Sequence, residues 1–259
     1  MSITPRRAAL VVPLLLVGTA FTGCGVADED IRPGVAARVD GTDFSVAEVD
    51  DLTQGTCDYL DTTDNTVAYP RFTVRRLSLE TLVRQEAAQH LLDDLDATLP
   101  DDYTTTVAGL SQSYTDAPDD VAQAMREGDQ ARYFVAYAAA TVGNALLREE
   151  TGEEPADADK ISARGNQAIT EWIADHDVDL NPAFGLRLDD GSFVADDGLS
   201  VPGSDAALAA GAVTDIDLSG ASDPTALQAA LAKANASLPA DQVCGTPSAA
   251  APGTAVAPQ

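Results

Sequence analysis

The chain has 259 residues and carries 42 Asp and Glu against 15 Lys and Arg, which gives a formal net charge of −27. This balance excludes the basic surface that neutralises phosphates, so we expect no nucleic-acid binding. The hydrophobic fraction of 45% is normal for a globular chain and excludes a disordered acidic tail. Only 5% of the residues are aromatic and many of the apolar residues are alanine, which predicts a thin helical core.

Apolar residues recur at helical spacing along much of the chain, which predicts a mainly α fold. The first helix is predicted to begin after Ser45, because Ser45 and Glu48 have the spacing of a capping box. Residues 55–70, which are rich in Thr and Asp and contain Cys57, are predicted as a loop. Further helices are predicted at residues 73–97, 101–114, 119–126, 129–149, 160–176 and 225–236.

One or two short β-hairpins complete the predicted fold. Residues 36–44 predict a hairpin that turns at Asp40-Gly41, a dipeptide favoured in two-residue hairpin turns. Residues 178–199 predict a second hairpin, because Leu186 and Leu188 alternate before the turn at Asp190-Gly191.

The N-terminus predicts a secretory signal peptide over residues 1–23. A pair of arginines is followed by an apolar stretch, residues 8–21, that is shorter than the roughly 20 residues of a membrane span. Residues 21–24, Phe-Thr-Gly-Cys, resemble a bacterial lipobox with Phe in place of the usual Leu. The resemblance implies lipidation of Cys24 and anchoring on the extracytoplasmic face of the cell membrane. The alternative is an ordinary signal peptide that ends beside an incidental cysteine.

Cleavage of the signal peptide would remove Arg6 and Arg7 and change the net charge from −27 to −29. Anionic lipid headgroups repel a body this acidic, so the lipid itself would have to hold the protein at the membrane. Residues 24–35 are then predicted as an acidic tether and residues 36–245 as the folded domain. Residues 246–259, rich in Pro and Ala, are predicted as a disordered tail.

The cysteines agree with export. With Cys24 lipidated, only Cys57 and Cys244 remain, and an exported protein permits a disulfide between them. Closing so long a loop stabilises a fold by about 4–5 kcal/mol in the chain-entropy model. The alternative is a pair of buried free thiols. No Cys-x-x-Cys motif is present, which argues against oxidoreductase chemistry.

Metal and catalytic signatures are weak throughout the sequence. Residues 177–181 match the first ligands of a calcium loop, but Pro182 stands where Gly is required and Leu188 where a bidentate Glu is required. His90 and His176 are too few for a zinc site. No nucleophile-elbow or phosphate-binding glycine motif occurs. We therefore expect no metal, no cofactor and no catalytic residue.

Four aromatic residues are candidates for polypeptide binding. Tyr133, Phe134 and Tyr137 lie on one predicted helix, and Trp172 lies on the next. Aromatic side chains provide rigid contact area at binding surfaces. The alternative is that these side chains belong to the hydrophobic core.

Two motifs carry a family resemblance. Residues 39–41 (Val-Asp-Gly) and the Ser-x-x-Glu-Val pattern of residues 45–49 resemble the start of SurA-type exported chaperones, in which a hairpin strand precedes an N-terminal helical domain. Residues 178–185 (VDLNPAFG) resemble a Val-x-Val-Asn-Pro-Arg-Phe-Gly stretch of actinobacterial lipoproteins with a SurA-like N-terminal domain, with Ala183 in place of Arg. The two motifs bracket residues 36–201.

The resemblance implies a SurA N-terminal-domain-like helical module that acts as a noncatalytic chaperone-like or polypeptide-binding protein. The prolyl isomerase domain of parvulin-type members is not expected, because the paired histidines and glycine-rich stretch of that domain are missing. The alternatives are an envelope scaffold lipoprotein that binds one folded partner, and an enzyme of unknown type. The negative charge favours a basic over an acidic extended client.

Overall fold

The computed structural model describes residues 33–62, 68–196, 224–236 and 238–245, all of which belong to the unit Ile31–Gln259. The predicted signal peptide, the lipidation site Cys24, most of the tether and the tail from residue 246 lie outside the described residues. The described part is mainly helical with short antiparallel strand pairs, which confirms the predicted fold class.

The first hairpin forms as predicted. Strands β1 (Val35–Val39) and β2 (Thr42–Ser45) are antiparallel. They turn at Asp40 and Gly41, whose φ angles of 44° and 89° are both left-handed. A two-residue turn with positive φ at both positions matches the natural twist of a hairpin, which explains the Asp-Gly pair.

The predicted second hairpin is shorter than expected. Its first residues form β4 (Val178–Leu180), which pairs with β1 instead and makes the strand order β2-β1-β4. The hairpin itself is formed by β5 (Leu186–Asp189) and β6 (Ser192–Ala195), turning at Asp190-Gly191. A 3₁₀ turn at Pro182–Phe184 separates β4 from β5, because Pro182 cannot donate to a strand ladder.

Six α-helices occur in the described residues. Proline stands immediately before three of them, and Asp157 caps the fifth by accepting hydrogen bonds from the backbone amides of Asp159 and Lys160. The helices are α1 (Val46–Thr62), α2 (Arg71–Asp94), α3 (Asp101–Leu110), α4 (Asp119–Thr151), α5 (Ala158–Asp175) and α6 (Pro224–Asn235).

The predicted loop at residues 55–70 is wrong in its first half, because α1 continues to Thr62. Gly55 is buried against α4, where a Cβ on it would lie 2.2 Å from the Cβ of Ala124. The glycine thus permits close helix packing. The Thr53 and Thr56 hydroxyls donate to carbonyls one turn earlier, which satisfies these polar groups inside the helix.

The predicted break between helices 119–126 and 129–149 is also wrong, since α4 runs without interruption through Gly128. A helical glycine costs only about 1 kcal/mol relative to Ala, and the contacts of a long helix outweigh that amount. Ser45 caps the start of α1 as predicted: the backbone amide of Glu48 donates to Ser45 Oγ at 3.0 Å.

The core lies between α1, α2, α4, α5 and the three-stranded sheet, and α4 packs most closely against α5. At this contact a Cβ on Gly143 would lie 2.0 Å from the carbonyl oxygen of Ile161, and one on Gly165 would lie 1.7 Å from that of Ala139. The two helices therefore meet backbone to backbone. Fully buried core side chains include Val39, Val49, Leu79, Val83, Val142, Ile169 and Ile173.

A smaller cluster ties the C-terminal segment to α1. Cys57 Sγ lies 1.99 Å from Cys244 Sγ, so the predicted pair is at disulfide distance. Strand β7 (Val243–Cys244) pairs with β3 (Tyr69–Pro70). The side-chain amide of Asn235 donates to the buried carbonyl of Ala68 at 2.7 Å, which fastens α6 beside β3.

We expect Gly143→Ala to destabilise the fold by about 1–3 kcal/mol, because the added methyl overlaps the α5 backbone. Gly128→Ala is the matched control on the same helix, since a Cβ there meets no atom within 4 Å and alanine favours a helix by up to about 1 kcal/mol. Denaturant unfolding followed by the fluorescence of Trp172, the single tryptophan, measures both changes. Equal changes in the free energy of unfolding of the two variants would contradict the close contact between α4 and α5.

Reduction of the Cys57–Cys244 bond should lower the free energy of unfolding by up to about 4–5 kcal/mol, since the separation of 187 residues makes the closed loop long. The measurement is urea unfolding with and without dithiothreitol, on a Cys24→Ala chain so that no third thiol interferes. A Cys57→Ser, Cys244→Ser double variant should match the reduced protein and should not respond to the reductant. Alkylation of two thiols in the native, unreduced protein would contradict the pairing.

Candidate functional site

Helices α1, α2 and α4 enclose a cavity of about 350 Å³, which falls within the usual range of ligand pockets of about 300–1,000 Å³. We call it the apolar cavity. Its rim carries Leu77, which is 47% exposed despite its size. The lining side chains are mostly hydrophobic, and they are Leu52, Thr56, Tyr59, Leu60, Tyr69, Val74, Leu77, Ser78, Thr81, Leu82, Met125, Ala131 and Arg132, with Gly128.

Helical spacing brings these side chains together. Each helix presents residues three or four positions apart, such as Leu52, Thr56 and Tyr59 on α1. On α4, Gly128 falls between Met125 and Arg132 and leaves space where a side chain would project, since a Cβ there has no neighbour within 4 Å. The cavity therefore exists because three helices face each other where the third one carries a glycine.

A polar cluster around the buried Asp129 adjoins the rim of the apolar cavity. Asp129 is buried, accepts a hydrogen bond from the Tyr114 hydroxyl and pairs with the Arg132 guanidinium. Burial raises the pKa of the Tyr114 hydroxyl, and the hydrogen bond and negative charge of Asp129 raise it further. Tyr114 thus remains a neutral donor at physiological pH. Arg132, the charged residue among those lining the cavity, is partly neutralised by Asp129.

A wider groove of about 790 Å³ abuts the cavity, and both are lined by Leu52, Leu82 and Ala131. We call it the acidic groove. The described residues that line it include no Lys or Arg. Its carboxylates are Glu48, Asp51, Asp58, Glu86, Asp120 and Glu127.

The groove carboxylates are largely free of cationic partners. Among the ion pairs of the described residues, only Glu86 of these six takes part, with its Oε1 3.7 Å from His90 Nε2. Asp58 and Glu127 accept hydrogen bonds from neutral glutamines on their own helices, Gln54 and Gln123. The groove therefore presents negative charge that the described part of the fold does not neutralise.

Two of the three aromatic residues predicted on α4, Phe134 and Tyr137, pack against other parts of the fold. Phe134 is half-buried against the core, and its ring packs edge-to-face with Tyr103 of α3 at 5.9 Å between centroids. Tyr137 packs against Tyr103 as well, and its hydroxyl lies 3.0 Å from that of Thr106. Tyr133 is 40% exposed and accessible. None of the three predicted residues lines the apolar cavity or the acidic groove.

Trp172 is buried and stacks with two imidazoles. Its ring centroid lies 5.0 Å from that of His90 and 3.9 Å from that of His176, with near-parallel planes. His176 Nδ1 lies 2.8 Å from the carbonyl oxygen of Trp172, one turn earlier in the chain. This arrangement gives both histidines a structural position and places Trp172 in the core.

The calcium-like segment is part of the sheet. The side-chain amide of Asn181 donates to the carbonyl of Val35, and the carbonyl of Asp177 accepts from the backbone amide of Asp40. Within the described ranges, no three His, Cys, Asp or Glu side chains come together as a metal site. No helix in the described part is both long and apolar enough to cross a membrane.

Comparison of the chain with protein-family models, curated proteins and solved structures gives no match. The resemblance to SurA-type chaperones therefore stays a prediction.

Neither the apolar cavity nor the acidic groove is predicted by the sequence patterns. Apart from Tyr69 of β3, the lining residues of the apolar cavity come from α1, α2 and α4, at positions that periodicity assigns to ordinary core faces. One available signal was Leu77 beside Ser78 and Thr81, which places an apolar residue among polar ones on the same helix. The groove carboxylates form no sequence motif, because they are spread over the separate helices α1, α2 and α4.

Proposed function

We propose that the protein is a noncatalytic polypeptide-binding module of the chaperone-like type, held at the extracytoplasmic face of the cell membrane by lipid on Cys24. The observation that carries the polypeptide-binding part is the apolar cavity with Leu77 at its rim. A large aliphatic side chain that is 47% exposed beside a cavity of about 350 Å³ offers surface for an apolar side chain of a client.

The position of the cavity supports this function in a second way. Its walls are helices that the core fixes from behind, because Leu52 and Leu82 reach into both the core and the cavity. A preformed cavity on rigid elements loses little conformational entropy when it binds. The client, rather than the cavity, would become ordered on binding, as disordered extended segments do.

Replacement of Leu77 by Asn should weaken the suppression of client aggregation. The variant should lose about half of a buried leucine's transfer free energy, about 1 kcal/mol. The protein concentration that gives half-maximal suppression of aggregation should therefore rise about fivefold. The measurement is light scattering of several unrelated denatured proteins at increasing concentrations of the variant. Because Leu77 is already half exposed, the substitution should leave the fold intact.

Tyr133→Asn is the matched control, since Tyr133 is 40% exposed on α4 but lines neither the cavity nor the groove. We expect this variant to behave as wild type. If Tyr133→Asn weakens the suppression of aggregation and Leu77→Asn does not, the binding site lies at the aromatic residues of α4 instead of at the apolar cavity. Binding of a single folded partner, with no suppression of aggregation, would favour a scaffold lipoprotein instead.

The anchoring part of the proposal depends on Cys24 alone. Cys24→Ala should move the protein from the membrane fraction to the soluble exported fraction, because an acidic body has no attraction to anionic headgroups. Cell fractionation with immunoblotting measures the change, and the Cys57→Ser, Cys244→Ser double variant is the control that removes the other two cysteines but keeps the lipid site. Membrane association that persists in the Cys24→Ala variant would contradict the lipid anchor.

A further inference from the structure

We propose that the ligand of this site is an extended polypeptide segment that combines an apolar anchor with neighbouring Lys or Arg side chains. The anchor enters the apolar cavity and the cations lie along the acidic groove. This inference rests on the proposed polypeptide-binding function and specifies the class of segment that is bound.

The apolar half of the proposal follows from the contact between the two features. The buried residues Leu52, Leu82 and Ala131 line both the cavity and the groove, so the two features lie on either side of one shared wall. Successive residues of an extended chain are about 3.3 Å apart and alternate in direction. A segment of about six residues spans about 20 Å, which is long enough to fill the cavity and reach the groove carboxylates.

The charged half follows from the groove carboxylates. Asp51, Asp120 and Glu127 are exposed, and none of them forms an ion pair with a described residue. Several like charges along one groove raise the local concentration of cations and repel anions. Lys and Arg side chains also carry apolar stems, which suits them to the rim beside Leu77.

Charge also argues against occupants from this chain. Residues 197–223 contain several aspartates and no Lys or Arg, so the acidic groove repels them. Residues 246–259 carry no charged side chain and gain nothing from the groove. A second copy of the protein carries the same large negative charge, −27 for the full sequence, and is repelled as a whole. A basic segment of a different protein is the occupant that the charges favour.

The test compares three labelled peptides by fluorescence anisotropy with the lipid-free mature chain carrying Cys24→Ala. The first peptide has a central Phe-Leu pair flanked by arginines in a Gly-Ser background. The second has glutamates in place of the arginines, and the third has Gly-Ser in place of the Phe-Leu pair. We expect the first peptide to bind at least about tenfold more tightly than either of the others, since each lacks one of the two contacts.

Two sets of substitutions locate the charge effect. The groove variant carries Asp51→Asn, Asp120→Asn and Glu127→Gln, and should weaken binding of the arginine peptide about tenfold. The control variant carries Glu149→Gln, Glu153→Gln and Asp175→Asn, all exposed and outside both linings. Both variants change the net charge equally, so only a local effect distinguishes them. Trp172 emission checks that each variant is folded.

The outcomes separate this inference from the proposed function. If the glutamate peptide binds as tightly as the arginine peptide, the charge selection is wrong while polypeptide binding stands. Equal binding of the peptide that lacks Phe-Leu would overturn the apolar anchor. If the groove and control variants lose the same affinity for the arginine peptide, the effect comes from net charge alone. That result would overturn the proposal that the groove carboxylates bind the cations. If no peptide binds and Leu77→Asn leaves client suppression unchanged, the proposed function fails as well.

Discussion

The contact between α4 and α5 determines the arrangement of the rest of the structure. Gly143 and Gly165 let the two helices meet at the backbone, with carbonyl oxygens in the space where Cβ atoms would project. A contact this close permits little rotation or sliding, so it fixes the axis of α4 over its whole length. The N-terminal half of the same helix forms the third wall of the apolar cavity. The open site at one end of α4 thus depends on the tight packing at the other end.

The same choice of small residues limits the stability of the fold. Alanine and glycine bring helices close together but bury little apolar surface, and burial is the main favourable term in folding. The core includes Ala36, Ala37, Ala87, Ala88, Ala138, Ala139 and Ala168. A covalent link between Cys57 and Cys244 would compensate by restricting the unfolded chain rather than by adding to the core. It closes the fold beside the cavity wall, since Leu60, Tyr69 and Val74 belong to both the disulfide cluster and the cavity lining.

Local signals in the sequence were sufficient for the elements but not for their packing. The Asp40-Gly41 turn, the Ser45 cap and the period of α2 each depend on residues near one another, and all three are present. The predicted loop from residue 55 and the predicted break between residues 126 and 129 are wrong, and each contains a glycine (Gly55 and Gly128). A glycine inside a helix has the same local signature as one that ends it. Its packing role depends on a residue far away in the chain, such as Ala124 opposite Gly55. The cavity has the same origin, since its three walls come from separate helices.

The acidic groove also opposes occupation of the apolar cavity by segments of the same chain. Segments tethered to a binding site act at a high effective concentration, so an apolar cavity without selection would be occupied from within. The chain contains apolar residues in the aspartate-rich stretch 197–223, and like charge in the groove opposes their entry. Basic segments of other proteins face no such opposition. The surplus of carboxylates excludes nucleic acid, and in the groove it would also keep the site available for clients. The net negative charge would at the same time keep copies of the protein apart.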